Sequence, residues 1–195
     1  TALSKGNLLN ELASGDSHVV GNTVLDNLLT YKDKCEYTNK ILVTLHRREN
    51  HSLIHNWFEK INNLAKKYSD LEFILPIHPN PKVRKHKNLL SYVNVVDPLE
   101  HSALLDILVK CKLVISDSGG LQEESSFLKK KIIVCRKTTE RPEGKKSGQL
   151  SICESPDDLH RIFEELIYNY KVDGNCPYGD GLSSLKIAKI LNEKF

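Results

Sequence analysis

The sequence has no long apolar run and little excess charge. No stretch in its 195 residues approaches the ~20 consecutive apolar residues that a membrane-spanning helix needs. The first residues, Thr1 to Asn10, lack the basic start and apolar stretch of a secretory signal. We therefore expect a cytoplasmic protein with no membrane role. A net charge of +3 is too small to predict binding to nucleic acid.

Cysteine gives no sign of a disulfide framework or a metal site. The five cysteines form no close pair, and an odd number leaves one thiol over in any pairing scheme. Since Cys111, Cys135 and Cys153 lie in or beside apolar segments, we expect free thiols that act as small core residues. The basic runs Lys129-Lys130-Lys131 and Lys145-Lys146 are short, and we expect both to be solvated surface.

Short apolar segments alternate with segments of helical periodicity. Apolar residues at three- and four-residue spacing predict helices over 53–68 and 159–170, the second preceded by a Ser155 cap. Six buried strands are predicted at Ile41 to Leu45, Glu72 to Ile77, Asn94 to Val96, Leu113 to Ser116, Ile132 to Cys135 and Leu150 to Cys153. This alternation predicts an α/β fold with a doubly wound parallel sheet, Rossmann-like, over residues 41–195. Residues 1–40 are less regular and are expected to form a lead-in or interdomain segment.

Polar residues and glycines follow four of these strands. In an open parallel sheet, ligands bind in the crevice beyond the carboxyl ends of the strands. The sequence therefore predicts a pocket suited to a phosphorylated sugar or a nucleotide. The segments in question are His46-Arg47-Arg48-Glu49-Asn50-His51, His78-Pro79-Asn80-Pro81, Asp117-Ser118-Gly119-Gly120-Leu121-Gln122-Glu123-Glu124, and Arg136 with Thr138 to Glu143.

The segment from Asp117 to Gly120 is a candidate diphosphate cradle. Its two glycines let the backbone approach a ligand, Ser118 offers a hydroxyl, and free amides at a helix start attract anions. An ordinary strand-to-helix turn, capped by Asp117 or Ser118, explains the same residues equally well. The residues alone leave both alternatives open.

Charged residues near this segment suggest further ligand contacts. A carboxylate of Glu123 or Glu124, one turn into the helix, can accept hydrogen bonds from two sugar hydroxyls. Arg141 can supply charge and planar donors to a phosphate or a base carbonyl. A surface ion pair between Arg141 and Glu140 or Glu143 is the alternative.

Six ordered motifs together resemble the bacterial non-hydrolysing UDP-N-acetylglucosamine 2-epimerases. They are Gly21 to Asp26 (GNTVLD), His46 to Asn50 (HRREN), His78 to Pro81 (HPNP), Asp117 to Glu124 (DSGGLQEE), Thr139 to Glu143 (TERPE) and Pro177 to Gly181 (PYGDG). The resemblance implies a GT-B architecture of two Rossmann-like domains with the active site between them. This chain then corresponds to the second, UDP-sugar-binding domain. A GT-B glycosyltransferase domain, or a UDP-binding or regulatory module without activity, is the alternative, although HRREN and TERPE favour the epimerases.

The resemblance also implies a reaction. The family interconverts UDP-N-acetylglucosamine and UDP-N-acetylmannosamine by removing the C2 proton, eliminating UDP from C1 to leave an enzyme-bound glycal, and then adding UDP back with the proton on the other face of C2; it needs no metal and no cofactor. The proton-transferring carboxylates belong to the first domain. We therefore expect this chain to be inactive without an N-terminal domain, and a homodimer partner is also expected.

The resemblance assigns roles to particular residues. Ser118, Gly119 and Gly120 are expected to hold the diphosphate, Glu124 the ribose hydroxyls and Arg141 the UDP end.

His46 matches a histidine important for catalysis, and His46 with Arg47 matches positions that contact a regulatory second UDP-N-acetylglucosamine in some members. A loop histidine bonded to a backbone carbonyl is the alternative for His46. The chain departs from the family pattern at Leu104, where some relatives have an aromatic ring near uracil, at His101 for a tyrosine, and at Lys131 for a proline.

Overall fold

The computed structural model describes residues 1–12 and 14–194, and they form a parallel sheet flanked by helices. The strands are β1 (Lys40–Thr44), β2 (Glu72–Pro76), β3 (Asn94–Val96), β4 (Cys111–Ser116), β5 (Lys131–Val134) and β6 (Leu150–Ile152). The helices are α1 (Ala2–Asn10), α2 (Leu29–Lys32), α3 (Ile54–Lys67), α4 (Pro81–Arg84), α5 (His101–Leu108), α6 (Gly119–Phe127), α7 (Pro142–Lys146), α8 (Leu159–Ile167) and α9 (Ser183–Lys194). Short 3-10 turns lie at Thr23–Leu28, Arg48–Asn50, Lys87–Leu89 and Pro156–Asp158.

The strand order is β3-β2-β1-β4-β5-β6, and every neighbouring pair is parallel. The chain runs outward from β1 to β3 and then returns to place β4 beside β1. The loops that leave these two central strands therefore diverge. Such a point, where the strand order reverses, opens a crevice at the carboxyl end of the sheet.

Both faces of the sheet are covered, as a doubly wound fold requires. Ile41 and Val43 pack on one face with the apolar side of α3 and α8, including Trp57 and Phe163. Leu42, between them in the strand, packs on the other face with residues of α5 and α6. Alternate residues of β1 thus enter separate cores, because successive strand side chains point to opposite faces. The predicted Rossmann-like fold is confirmed.

The predicted elements agree closely with the observed ones. Every predicted strand is present, with ends shifted by no more than two residues, and both long helices are found. The Ser155 hydroxyl accepts a hydrogen bond from the Asp157 main chain, as a capping residue does. All five cysteines are free, and Cys111, Cys135 and Cys153 are buried as predicted. Among the described residues, no helix is long and apolar enough to cross a membrane.

One basic run was interpreted wrongly. Lys145 and Lys146 are exposed as expected, but Lys130 is 0% exposed. Its ammonium donates to the Glu36 carbonyl and lies 4.1 Å from the ring centre of Tyr37. The carbonyl and the aromatic face together replace part of the hydration that the Lys130 ammonium loses on burial. These partners cannot be predicted from a run of lysines in the sequence.

The lead-in segment is attached to the domain by several contacts. Leu25 and Leu28, in the turn Thr23–Leu28, are fully buried in the same core as Leu42. The Asp26 carboxylate accepts hydrogen bonds from the Ser183 and Ser184 amides and so caps α9. Part of the lead-in is therefore integrated with the sheet, while the boundary at residue 40 stays a prediction.

Candidate functional site

A buried carboxylate connects the loops at the switch point of the sheet. Asp117 directly follows β4 and is fully buried. It accepts hydrogen bonds from the main-chain N–H groups of His46 (3.0 Å) and Arg47 (2.8 Å) and from Asn50 Nδ2 (3.0 Å). Asn50 also donates to the Cys135 carbonyl at 2.8 Å, beyond β5. The loop after β1 is therefore fixed against two neighbouring strands.

His46 lies at this point with its ring between other polar groups. Its Nδ1 lies 3.3 Å from Asp117 Oδ1, and its ring stacks on that of His78 with centres 5.3 Å apart. Burial lowers the pKa of His46 below its usual value; Asp117 opposes this shift, while His78 and Arg47 reinforce it. This shift favours the neutral imidazole over the protonated form.

The start of α6 has no side-chain cap. Ser118 is the N-cap residue, but its side chain makes no capping hydrogen bond. Its own amide is used by the Ser116 hydroxyl at 2.9 Å, whereas the first amides of a helix have no partner inside the helix. The simple capped-turn alternative is therefore not what the structure contains. A positive helix end remains open beside Gly119 and Gly120.

Arg141 lies against this helix end. A Cβ added to Gly119 would meet Arg141 Nη1 at 2.7 Å, so a larger residue there would require the guanidinium to move from its present position. Arg141 Nε donates to Glu123 Oε1 at 2.5 Å, and Nη1 donates to Glu140 Oε1 at 2.7 Å. The ion pair with Glu140, which was the alternative to a ligand contact, is present, and the mostly buried Glu123 is a second partner. These carboxylates orient the guanidinium beside the helix end.

Glu124 borders a cavity of about 280 Å³ at the carboxyl edge. His101 Nε2 lies 2.9 Å from Glu124 Oε1, and Glu124 is 5% exposed. Apolar side chains form much of the wall, Leu104 among them. The lining comprises Thr44, Leu45, His46, Pro76, Ile77, His78, Pro79, Pro98, Leu99, His101, Leu104, Ser118, Gly120, Leu121 and Glu124. The cavity thus joins an apolar wall to the α6 start and a buried carboxylate, a combination that suits a small polar ligand with one flat apolar part.

A second cleft, of about 390 Å³, is also bordered by His46 and is rich in arginine. Arg136, with 13% of its side chain exposed, donates to Glu49 Oε1 at 2.6 Å and to Glu140 Oε2 at 2.8 Å. The predicted regulatory residues His46 and Arg47 both line this cleft, with Arg48, Glu49 and Arg136.

Comparison with known proteins gives the family. The family model described as UDP-N-acetylglucosamine 2-epimerase matches residues 1–192. The chain belongs to this family. It is 36% identical to the UDP-N-acetylglucosamine 2-epimerase of Neisseria meningitidis, over 96% of this chain and 58% of that protein.

Solved structures of family members match the fold closely. A Neisseria meningitidis UDP-GlcNAc 2-epimerase bound to UDP-GlcNAc matches with a TM-score of 0.87 and 34% identity, over 99% of this chain and 60% of that one. A Methanocaldococcus jannaschii UDP-GlcNAc 2-epimerase in complex with UDP-GlcNAc and UDP matches with a TM-score of 0.82 and 28% identity, over 99% and 59%. This chain therefore has the fold of the C-terminal domain of GT-B epimerases and spans about three fifths of their length.

Within this epimerase domain, the residues predicted for the site fall into two neighbouring groups. Ser118, Gly120 and Glu124 share the 280 Å³ cavity with His46, whereas Arg141 does not line this cavity and lies against the adjacent Gly119. Arg47 lies apart, in the arginine-rich cleft that His46 also borders. Among the described residues, no group of histidine, cysteine and carboxylate side chains could hold a metal ion.

Sequence reasoning missed the residues that support this candidate site. Asp117 was considered as part of a diphosphate cradle or as a helix cap, whereas it holds the loop after β1. Gln122 donates to the Ser118 carbonyl at 3.2 Å and accepts from Thr139 Oγ1 at 2.6 Å, so it connects α6 to the Arg141 loop. For Asp117 the available signal was position, because a carboxylate that directly follows an apolar strand is buried and needs partners. Gln122 lies within α6 and gave no such signal.

Proposed function

We propose that this chain is the UDP-binding half of a UDP-N-acetylglucosamine 2-epimerase. UDP lies in the 280 Å³ cavity, with its diphosphate at the start of α6 and its ribose at Glu124. One observation carries the proposal: the helix end, the Arg141 guanidinium and the buried Glu124 carboxylate occur together at the β1/β4 switch point.

The diphosphate contacts follow from charge and geometry. The amides at the start of α6 point outward and carry the positive end of the helix dipole. Arg141 lies beside Gly119 and is paired with Glu123 and Glu140; its Nη2 group takes part in neither of these hydrogen bonds and can turn to phosphate oxygens. Glu123 and Glu140 keep the guanidinium in place before the ligand arrives, which reduces the entropy lost on binding.

The ribose contact at Glu124 is compatible with the observed His101 contact. His101 Nε2 engages Oε1, which leaves Oε2 to accept a sugar hydroxyl. An aliphatic wall that includes Leu104 then packs on the uracil face without aromatic stacking. Uracil recognition in this chain thus differs from that expected with an aromatic ring at this position.

The chemistry requires a stabilised leaving group and proton transfer at C2. This half supplies the first requirement, because the α6 amides and Arg141 stabilise the negative charge that builds up as UDP departs. The neutral His46 imidazole, held near Asp117, supplies a polar group at the same edge. The carboxylates that transfer protons come from the family's first domain, which is therefore the required partner, and a homodimer is the proposed assembly.

UDP affinity of the 195-residue chain tests the proposal by calorimetry. The chain should bind UDP weakly, and Arg141→Ala should weaken binding about tenfold or more, since a hydrogen bond to a charged group contributes about 1.5–3 kcal/mol. Arg161→Ala is the matched control, because Arg161 pairs with Glu165 on α8 and lines neither cleft. Absence of UDP binding by the parent chain would reject the function; equal affinity of the parent and Arg141→Ala would remove Arg141 from the site.

A further inference from the structure

The buried phenol of Tyr178 contacts the loop that carries Arg141. Tyr178 is 1% exposed, and its hydroxyl donates to the Arg141 carbonyl at 3.1 Å. The same hydroxyl accepts a hydrogen bond from the Gly144 amide at 3.0 Å, inside α7. Tyr178 belongs to the PYGDG motif near the end of the chain, which the proposed binding of UDP does not use. The side chain of Tyr178 therefore connects a motif that is distant in sequence to the main chain at Arg141, the residue proposed to contact phosphate.

The Arg141 main chain is also held from the opposite side. Its amide donates to Thr139 Oγ1 at 3.1 Å, and Thr139 in turn donates to Gln122 on α6 at 2.6 Å. The amide of Arg141 is thus connected to α6 by hydrogen bonds through Thr139, and its carbonyl is hydrogen-bonded to Tyr178. Because both the amide and the carbonyl of Arg141 are hydrogen-bonded, the Arg141 side chain can extend in only a few directions.

Tyr178 is itself fixed by the lead-in segment. Its carbonyl accepts from the Asn22 amide at 2.9 Å. A Cβ at Gly179 would meet the Gly21 Cα at 3.1 Å, and the positive φ of both glycines (137° and 91°) suits residues without a side chain. The GNTVLD and PYGDG motifs therefore form one packed unit, and the phenol extends from it. Burial raises the pKa of Tyr178 above its usual value, so the hydroxyl keeps the proton that it donates.

We propose that Tyr178 is a positioning residue that sets the Arg141 main chain and thereby aims the guanidinium at the start of α6. The inference rests on the proposed role of Arg141 in binding UDP. Tyr178 lines a different cavity from the one assigned to UDP, so its influence on the ligand passes through Arg141.

A double-mutant cycle on UDP affinity distinguishes positioning from general stabilisation. Tyr178→Phe keeps the ring and removes the hydroxyl, and it should weaken UDP binding about three- to tenfold. In an Arg141→Ala background the same change should have no further effect, because the group that Tyr178 positions is gone. An equal loss in both backgrounds, or no loss in the parent, would overturn the proposal. Tyr37→Phe is the control, since it removes a hydroxyl bonded to the Lys129 carbonyl at the amino end of β5.

A second measurement separates this proposal from the proposed function. The Arg141 Nε–H resonance, assigned by its loss in Arg141→Ala, reports the contact with Glu123 in the chain without ligand. Tyr178→Phe should move this resonance and Tyr37→Phe should not, whether or not UDP binds; an unmoved resonance overturns the positioning role. If Tyr178→Phe does not fold, Gly144→Ala replaces it, because a Cβ at Gly144 would lie 2.6 Å from the Tyr178 hydroxyl and displace it.

Discussion

His46 is subject to opposing effects at the carboxyl edge of the sheet. Burial and the nearby His78 and Arg47 disfavour a second proton on its ring, while Asp117 favours one, and the net result is a lowered pKa. Because the unfolded chain has an ordinary histidine pKa of about 6.5, it binds more protons than the folded chain below that pH. The neutral ring therefore contributes stability that is complete above about pH 6.5 and declines as the pH falls.

The lowered pKa of His46 predicts that the stability of the parent depends more strongly on pH than the stability of His46→Asn. As the pH falls from about 7.5 to 5, the parent should lose more free energy of unfolding than His46→Asn, because only the parent has this lowered pKa to overcome. Urea unfolding at several pH values measures the difference, and His18→Asn, which removes an exposed histidine, is the control. Parallel pH profiles for the parent and His46→Asn would contradict the lowered pKa.

At this scale, the sequence predicted residue types better than residue partners. Polar residues after apolar strands correctly indicated where His46 and Ser118 would lie, since parallel strands end at one edge. The Arg141–Glu123 and Arg141–Tyr178 contacts join positions 18 and 37 residues apart, and each depends on how loops pack after folding. Lys130 illustrates the same limit, because its burial depends on a carbonyl and a ring from another segment.

At the scale of elements, the central strands were predictable because they are buried on both faces. Strands such as β1 and β4 are nearly continuous apolar runs, which is the pattern of a covered parallel sheet. The long helices α3 and α8 show one apolar stripe each, so their periodicity is clear. Short helices such as α7 have too few turns for a period and depend on tertiary contacts.

At the start of α6, alanine substitutions at the adjacent Gly119 and Gly120 should differ in their effect on stability. Gly120→Ala adds a Cβ with nothing within 4 Å, so helix propensity should stabilise the fold by about 0.5–1 kcal/mol. Gly119→Ala gains the same propensity, but its Cβ displaces Arg141 from Glu123 and Glu140. Gly119→Ala should therefore be less stable than Gly120→Ala by about 1 kcal/mol or more.

Chemical denaturation of both variants measures this difference, and the Arg141→Ala background should remove it. Equal stability of Gly119→Ala and Gly120→Ala with Arg141 present would mean that the guanidinium does not rest on Gly119.

At the scale of the whole molecule, this chain spans about three fifths of its relatives' length. The carboxyl edge of its sheet holds cationic and polar groups, which suit a departing nucleotide. Its two most buried acidic residues there, Asp117 and Glu124, are already engaged by the loop after β1 and by His101. Under the proposed function, this chain therefore binds the UDP end of the substrate and does not supply the proton transfer at C2.

The 195-residue chain alone should therefore bind UDP-N-acetylglucosamine without epimerising it. Positioned acid and base groups contribute roughly 10²–10⁴-fold each, and the family's proton-transferring carboxylates belong to the first domain. NMR in deuterium oxide measures this directly, because proton removal at C2 followed by return from solvent introduces deuterium there. We expect no incorporation with the chain alone and incorporation once a first domain from a family member is added and binds. Deuterium at C2 with the purified chain alone would contradict the assignment of proton transfer to the first domain. It would place the base among the residues of this chain. Repeating the measurement with His46→Asn would then test whether the imidazole is that base.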